Sequence, residues 1–285
     1  MTNDFTLHTS PFTVQVRGAP NSLFQQLSHF YPAEILTRSS EQFIDFVVDF
    51  DKNGRFWSNE HDFRIAGQHF RYASPSIAVP IFEWGFNWLV TSFSNRFLTF
   101  HAAVLAKNDR AVILPAPPGS GKSTMCALMM LHGWRLLSDE HCFVDRTNGH
   151  IVPFVRPISL KNNSIEVIQR YYGGLNSQHV FNDTLKGRMA YVAPSAESWR
   201  QSTQTAAATA IVFPQYAKDV ETIAVSEVPQ AELFMAMLEN SFNFSVFGEQ
   251  AFHLLADLVS DVKACRLRYS NNEAMLEWVE QWANQ

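Results

Sequence analysis

The stretch that most constrains this chain is Ala116-Pro117-Pro118-Gly119-Ser120-Gly121-Lys122-Ser123-Thr124. Before it, Ala111-Val112-Ile113-Leu114 has the residue types of a buried strand. After it, Met125-Cys126-Ala127-Leu128-Met129-Met130-Leu131 has the length and composition of a helix. A strand, a glycine-bearing loop and a helix in that order cradle phosphate. The glycines let successive backbone N–H groups turn inward, a lysine reaches the outer phosphates and a hydroxyl ligates Mg²⁺. Gly121-Lys122-Ser123 supplies these parts, and the helix that starts there adds its unsatisfied N-terminal N–H groups and the positive end of its dipole. A Gly-Lys-Ser triplet also occurs in ordinary turns; the flanking strand and helix are what give this one meaning. The residues expected to contact ATP are Pro118, Gly119, Ser120, Gly121, Lys122, Ser123 and Thr124, with Mg²⁺ as the accompanying ion. The pattern departs from G-x-x-x-x-G-K-[ST] at one position, where Ala116 replaces the first glycine and two prolines follow. Gly119 and Gly121 still permit positive φ where the loop turns, while Pro117 and Pro118 stiffen it.

At 285 residues, 46% hydrophobic and 17% charged, the chain has apolar material for one large or two small domains with a real core. A net charge of −5 provides no basic field, which argues against a nucleic-acid partner. The opening Met1-Thr2-Asn3-Asp4-Phe5-Thr6 lacks the basic start and apolar run of a signal peptide, so export by that route is not expected. The longest apolar segment, Ile77 to Val90, is broken by Pro80, Glu83 and Asn87 and falls short of the roughly 20 residues that span a bilayer. It predicts a core helix and no membrane association. Cys126, Cys142 and Cys265 share no short spacing, which points away from a metal knuckle or a disulfide frame and toward a reducing cytoplasm.

Along the chain, Phe12 to Arg17 alternates like a strand, Asn21 caps a helix through Phe30, and Phe43 to Phe50 is a second strand. Asp51-Lys52-Asn53-Gly54 reads as a turn, and Phe63 to Phe70 as one strand bent at Gly67. Phe97 to Leu105 leads by the polar turn Lys107-Asn108-Asp109-Arg110 into the loop strand. Beyond the loop helix, Gly133 ends the helix and Trp134 to Leu137 runs into Ser138-Asp139-Glu140. That places two acidic residues at a strand's carboxyl end, one strand over from the loop, where Mg²⁺ and a γ-phosphate would sit. Neighbours on an extended chain face opposite sides, so both carboxylates serve one spot only where the backbone turns, and Ser138 supports a turn. Ala208 to Phe213 predicts a buried strand closed by Pro214. Helices are expected near Gln230–Glu239, Gln250–Val262 and Asn271–Ala283, around a strand at Arg266–Tyr269. The class is α/β with mixed strands.

Arg156 sits between apolar residues, and Lys186 and Arg188 bracket Gly187, so these three are cations available to a transferring phosphoryl group. His101 at a strand start reads either as a satisfied core histidine or as a site residue. Trp84 and Trp88, four apart, share one helix face and predict packing. His141 and Cys142 point opposite ways on a strand and do not converge on a metal.

His101-Ala102-Ala103-Val104, Gly119 to Thr124 and Gly133-Trp134-Arg135-Leu136-Leu137-Ser138-Asp139-Glu140 together resemble the catalytic core of the HPr kinase/phosphorylase superfamily, which shares its architecture with phosphoenolpyruvate carboxykinases. The chain is most similar to the HPr kinase-related kinase A group, through Glu83-Trp84-Gly85-Phe86-Asn87-Trp88, Leu114-Pro115-Ala116-Pro117-Pro118-Gly119 and Arg156-Pro157-Ile158-Ser159-Leu160-Lys161-Asn162. The resemblance implies a P-loop HPr kinase/phosphoenolpyruvate carboxykinase-like core with a mixed sheet over residues 96–285. A small α/β N-terminal domain, residues 1–95, would bind substrate or brace that core. It implies an ATP- and Mg²⁺-dependent kinase acting on a hydroxyl, typically a serine of a small protein or peptide; some relatives phosphorylate precursors of ribosomally made peptides. True HPr kinases are hexamers, so a homo-oligomer is compatible with it. By the same resemblance Lys122 holds the β- and γ-phosphates and Ser123 ligates Mg²⁺. Asp139 is the base and lies at the metal with Glu140, His101 tunes Asp139, and Arg156, Lys186 and Arg188 supply charge. The glutamate that opens a later signature of true HPr kinases has no counterpart, since the region reads Pro153-Phe154-Val155-Arg156-Pro157. Neither HPr as substrate nor the reverse phosphorylase reaction is therefore implied. Two other readings stand beside this one. The first is a carboxykinase-like enzyme acting on a small molecule, which would want more metal ligands; the second is a nucleotide-gated peptide-binding protein without transfer.

Overall fold

Alternating apolar and polar residues build the first sheet. A computed structural model describes residues 4–38, 43–52, 61–117, 119–175, 179–184 and 186–283. It opens with β1 (Phe5–Thr9), β2 (Phe12–Arg17), α1 (Asn21–Leu27), β3 (Leu36–Thr37), β4 (Phe46–Lys52), β5 (His61–Ile65), β6 (Gln68–Tyr72) and α2 (Ala78–Phe93). The strands form one sheet in the order β3-β1-β2-β4-β5-β6, with β2 and β4 parallel and the other pairs antiparallel. The single strand expected over Phe63 to Phe70 is instead the hairpin β5–β6. Ala66 and Gly67 both have positive φ, 46° and 78°, the two-residue reversal whose twist matches antiparallel strands. Helix α1 stops at Leu27, short of Phe30, and β4 begins three residues later than expected. Asn53 and Gly54 of the expected turn lie outside the described residues, as does Pro118.

Helix α2 replaces the expected core helix almost residue for residue. Val79, Phe82, Phe86, Leu89 and Val90 recur at helical spacing and are buried, each worth about 1.5–3 kcal/mol of burial. Gly85 lets the helix approach β5, since a Cβ there would lie 2.4 Å from the Phe63 ring. Trp84 and Trp88 pack on Phe70, with ring centroids 4.8 and 6.4 Å away, as their spacing predicts. Among the described residues no helix is long and apolar enough to cross a membrane.

The chain continues through β7 (Leu98–Lys107), β8 (Arg110–Pro115), α3 (Lys122–Leu131), β9 (Arg135–Ser138), β10 (His141–Val144), β11 (Ile151–Val152), β12 (Ile158–Lys161), α4 (Asn163–Tyr172), β13 (Val180–Thr184), β14 (Gly187–Val192) and α5 (Ala196–Arg200). It ends with β15 (Ala207–Tyr216), β16 (Ala224–Glu227), α6 (Gln230–Glu239), α7 (Phe244–Phe247), α8 (Glu249–Ser260), β17 (Lys263–Tyr269) and α9 (Asn272–Ala283). The second sheet runs β11-β10-β7-β8-β15-β17-β16, with β9 also paired to β7. Strands β8, β15 and β17 are mutually parallel and the remaining pairs antiparallel, so the sheet is mixed. One face packs against α3, α4, α9 and the small sheet β12-β14-β13, and the other against α6 and α8. Strand β15 does not close at Pro214 but runs through it. Its pairing with β8 ends at Ile211, so beyond that point the β8-facing edge needs no ladder donor, and the next N–H on that edge, Tyr216, donates to the Ser120 carbonyl at 2.9 Å.

One apolar cluster crosses residue 95. The first sheet and α2 share one apolar cluster with Phe143, Phe154, Phe181, Met189 and Tyr191, and the Phe12 ring meets Phe97, Phe143 and Phe154 at 6.4, 5.7 and 5.6 Å. A buried polar tie crosses the same boundary. Tyr31 donates its hydroxyl to Glu83 Oε1 at 2.7 Å, while Arg156 pairs with Glu83 Oε2, donates to the Glu83 carbonyl at 2.9 Å and bonds Asn87 Oδ1. Its guanidinium also lies over the Phe86 ring at 4.6 Å. Burial alone would lower the Arg156 pKa, and Glu83 with Tyr31 more than reverses it.

Removing one partner of such a pair strands a buried charge. Arg156→Met is expected to lower unfolding free energy by about 3–5 kcal/mol, and the double variant Arg156→Met/Glu83→Gln to recover a large part of it. Urea unfolding of wild type, Arg156→Met, Glu83→Gln and the double variant measures this; a loss near zero in Arg156→Met would show that the pair is solvated.

Candidate active site

The site forms where β8 hands over to α3. Asn108 and Asp109, at φ 50° and 59°, turn β7 tightly into β8, whose far end runs into the loop. Gly119 and Gly121 both take positive φ, 88° and 95°, as the loop pattern requires. Helix α3 then begins at Lys122 with no side-chain cap from Gly121, and the Lys122 N–H makes a long 3.4 Å bond to Ser120 Oγ. At Gly121 a side chain is excluded twice over, because a Cβ would also lie 3.2 Å from Tyr216 Cβ and 3.4 Å from the Tyr269 hydroxyl.

The acidic pair is brought in by an interruption in a ladder. Val104 lies opposite Ser138 in the register that β10 keeps with His141 opposite His101, with Asp139 and Glu140 out of the pairing between them, and β9 shifts by one residue between Val104 and Leu105. The backbone turns there because Ser138 Oγ accepts from the N–H groups of Glu140 and His141, at 3.3 and 3.0 Å. Both carboxylates therefore turn toward the head of α3. They stand two strands from the loop strand rather than one, since β7 separates β8 from β9.

Asp139 is buried. Its Oδ2 accepts from Ser123 Oγ at 3.3 Å and from the Ser159 N–H at 3.1 Å, while Oδ1 has no hydrogen-bond partner among the described residues. Burial and then the charge of Glu140 push its pKa up to about 6, against the opposing pull of Lys122. The Lys122 ammonium is committed elsewhere, donating to His101 Nε2 at 3.0 Å. Burial would raise Glu140 as well, but His101 and Lys122 overcome it and hold Glu140 well below the ordinary carboxylate range, with 37% of its side chain open to water. His101 Nε2 also lies 3.5 Å from Glu140 Oε2. One nitrogen cannot serve both partners: protonated it donates to Glu140, unprotonated it accepts from Lys122.

The remaining expected residues divide. Ser120, Gly121 and Thr124 lie at the head of α3 with Lys122 and Ser123. Lys186 is exposed in the turn before β14, its pKa lowered by burial and by the charge of Lys161 and raised by that of Glu140. Arg188 goes elsewhere, pairing with Glu166 of α4 at 2.6 Å in solvent. Arg156 is no free cation, because Glu83 holds it inside the core. His141 bonds Thr91 of α2 at 2.8 Å and burial lowers its pKa to about 3, so it stays neutral. The three cysteines are buried and free. Sequence reasoning did not find the Ser159 donor, a backbone group that no side chain announces, or the Tyr216–Tyr269 pair against Gly121, hidden by ending β15 at Pro214. Among the described residues no group of three or more His, Cys, Asp and Glu could hold a metal ion. Mg²⁺ needs no such cage, since one or two carboxylates with substrate phosphates and water suffice.

A buried carboxyl with a raised pKa weakens the fold where it ionises. Between about pH 4 and 6 the folded chain binds more protons at Asp139 than the unfolded chain, so its contribution to stability falls as pH rises through that window. Without divalent ions, Asp139→Asn is expected to be about 1–3 kcal/mol more stable than wild type at pH 7 and nearly equal to it at pH 4. Unfolding at the two pH values in EDTA decides this, and a variant less stable at both would reverse the reading. No protein-family model matches the chain, and a search of curated proteins finds no match to it.

Proposed function

We propose that the head of α3 binds the phosphates of ATP with Mg²⁺ and that the chain transfers the γ-phosphate to a hydroxyl. The observation that carries this reading is Asp139, a buried carboxylate with one oxygen held by Ser123 and Ser159 and the other without a partner among the described residues, beside a helix start that bears Lys122 and has no side-chain cap from Gly121. The donor set fits a hard divalent ion. Ser123 Oγ and the ionised Glu140 would hold Mg²⁺, which when bound would supply positive charge to the phosphate oxygens, and the open oxygen of Asp139 is left for the acceptor hydroxyl.

The two carboxylates differ in a way that assigns their work. Environments that push neighbouring pKa values apart separate a proton acceptor from a permanent anion. Glu140, kept ionised by His101 and Lys122, is the metal partner. Asp139, raised toward neutrality, takes the proton from the attacking hydroxyl. Lys122 reaches the outer phosphates by leaving His101, and the N–H groups at the head of α3 bind phosphate oxygens, the Lys122 N–H by exchanging Ser120 Oγ for one of them. Lys186 and Lys161 lie on the acceptor's side as cations. The resemblance to the HPr kinase-related kinase A group supplies the acceptor class, a serine of a small protein or peptide.

Two measurements test this. Mg²⁺–ATP at a hundredfold its Kd should stabilise wild type by about 2.7 kcal/mol in thermal unfolding, and Lys122→Ala should abolish the gain. In phosphate transfer from labelled ATP to serine peptides, Asp139→Asn should lower kcat by roughly 10²–10⁴-fold with ATP binding kept. The wild-type kcat/KM should decline as pH drops below about 6. A melting temperature indifferent to millimolar Mg²⁺–ATP, or a fully active Asp139→Asn, would refute the proposal.

A further inference from the structure

The charged groups at the head of α3 all stand on one side of it. His101 comes from β7, and Asp139 and Glu140 come from the gap between β9 and β10. On the nucleotide reading, which this inference rests on, that side takes the γ-phosphate and the acceptor, so the nucleoside leaves the loop in the other direction. The other direction is the carboxyl end of the parallel strands β15 and β17, where ligands of open α/β sheets lie.

Two tyrosines end those strands. Tyr269 is 1% exposed, and Tyr216, in line with it on the parallel ladder, is 43% exposed. Their rings meet edge-on at 5.8 Å and 77°, so Tyr269 covers at most one face of Tyr216. An exposed tyrosine at a strand end needs no special account; this one is fixed to the phosphate loop. Its N–H donates to the Ser120 carbonyl at 2.9 Å and its Cβ is in contact range of Gly121, while the next N–H, Ala217, donates to the Tyr269 carbonyl at 2.9 Å. The segment that follows is fastened again by Ser270 Oγ donating to the Val220 carbonyl at 2.6 Å. A flat ring held in place before a ligand arrives loses little freedom on binding.

We propose that Tyr216 is the platform on which the base of the bound nucleotide stacks, with Tyr269 as its support. Stacking uses the π-face that every base has, so it adds affinity for the nucleoside and nothing for the phosphates.

The test is calorimetric titration of wild type, Tyr216→Ala and Tyr216→Phe with ATP and with inorganic tripolyphosphate, each with Mg²⁺. Tyr216→Ala should weaken ATP roughly five- to a hundredfold, Tyr216→Phe should bind ATP like wild type, and all three should bind tripolyphosphate equally. Unchanged ATP affinity in Tyr216→Ala overturns the proposal while tripolyphosphate binding leaves the loop's role standing. Equal loss of both ligands also overturns it, by making the ring a prop for the loop. If wild type binds neither ligand, the nucleotide reading fails and the platform falls with it.

Discussion

Strand β7 must satisfy the backbone of ten residues on both edges, in a layer covered on both faces, and the site is the place where it does not fully succeed. One edge is closed by β8 from Ala102 to Lys107 and by the Asn240–Asn243 segment at Thr99 and His101. The other is closed by β10 and β9 in succession, with a gap opposite Ala102 and Ala103. Unpaired backbone groups inside a protein are costly, and Ser138 limits the cost by catching two N–H groups with one hydroxyl. What the gap provides is two consecutive side chains pointing the same way, which a regular strand forbids. The acidic pair and its position relative to α3 both follow from that single failure of pairing.

Holding two carboxylates so close in a buried corner divides them electrostatically. One takes the nearby positive charge and stays ionised, and the other is left to burial. Evolution toward stability alone would replace one of them, because a charge-free corner would cost the fold less. On the proposed reading the corner is kept for chemistry, and the raised carboxyl lies where protonation changes near neutral pH.

Much of this was legible locally. The strand, loop and helix around Gly121 were readable because each depends on neighbours in sequence: a run of buried aliphatics, glycines at positive φ, and a helix start. The turn at Ser138 was readable for the same reason. The long-range partners were not. Arg156 looked like a cation waiting for phosphate because its counter-charge, Glu83, lies 73 positions earlier on a helix face that reads as packing. Arg188 looked paired with Lys186 across a glycine, yet Glu166 of the neighbouring helix claims it. Ala66 gave no sign that it would take a left-handed conformation beside Gly67, so a hairpin read as one bent strand. Pro214 read as a stop, and only the end of β8 pairing at Ile211 shows why a proline is tolerated there.

The shared aromatic cluster has a consequence for how the chain assembles as it is made. A polypeptide emerging from its N-terminus completes β1 to β6 long before Phe143 and Phe154 exist, so Phe12 and Phe86 begin with no covering on that side. The contacts that finish the first sheet are distant in sequence, and closing such loops is slow. The sheet therefore spends part of synthesis with a greasy flank exposed to whatever surrounds the ribosome, the circumstance in which nascent chains rely on chaperones.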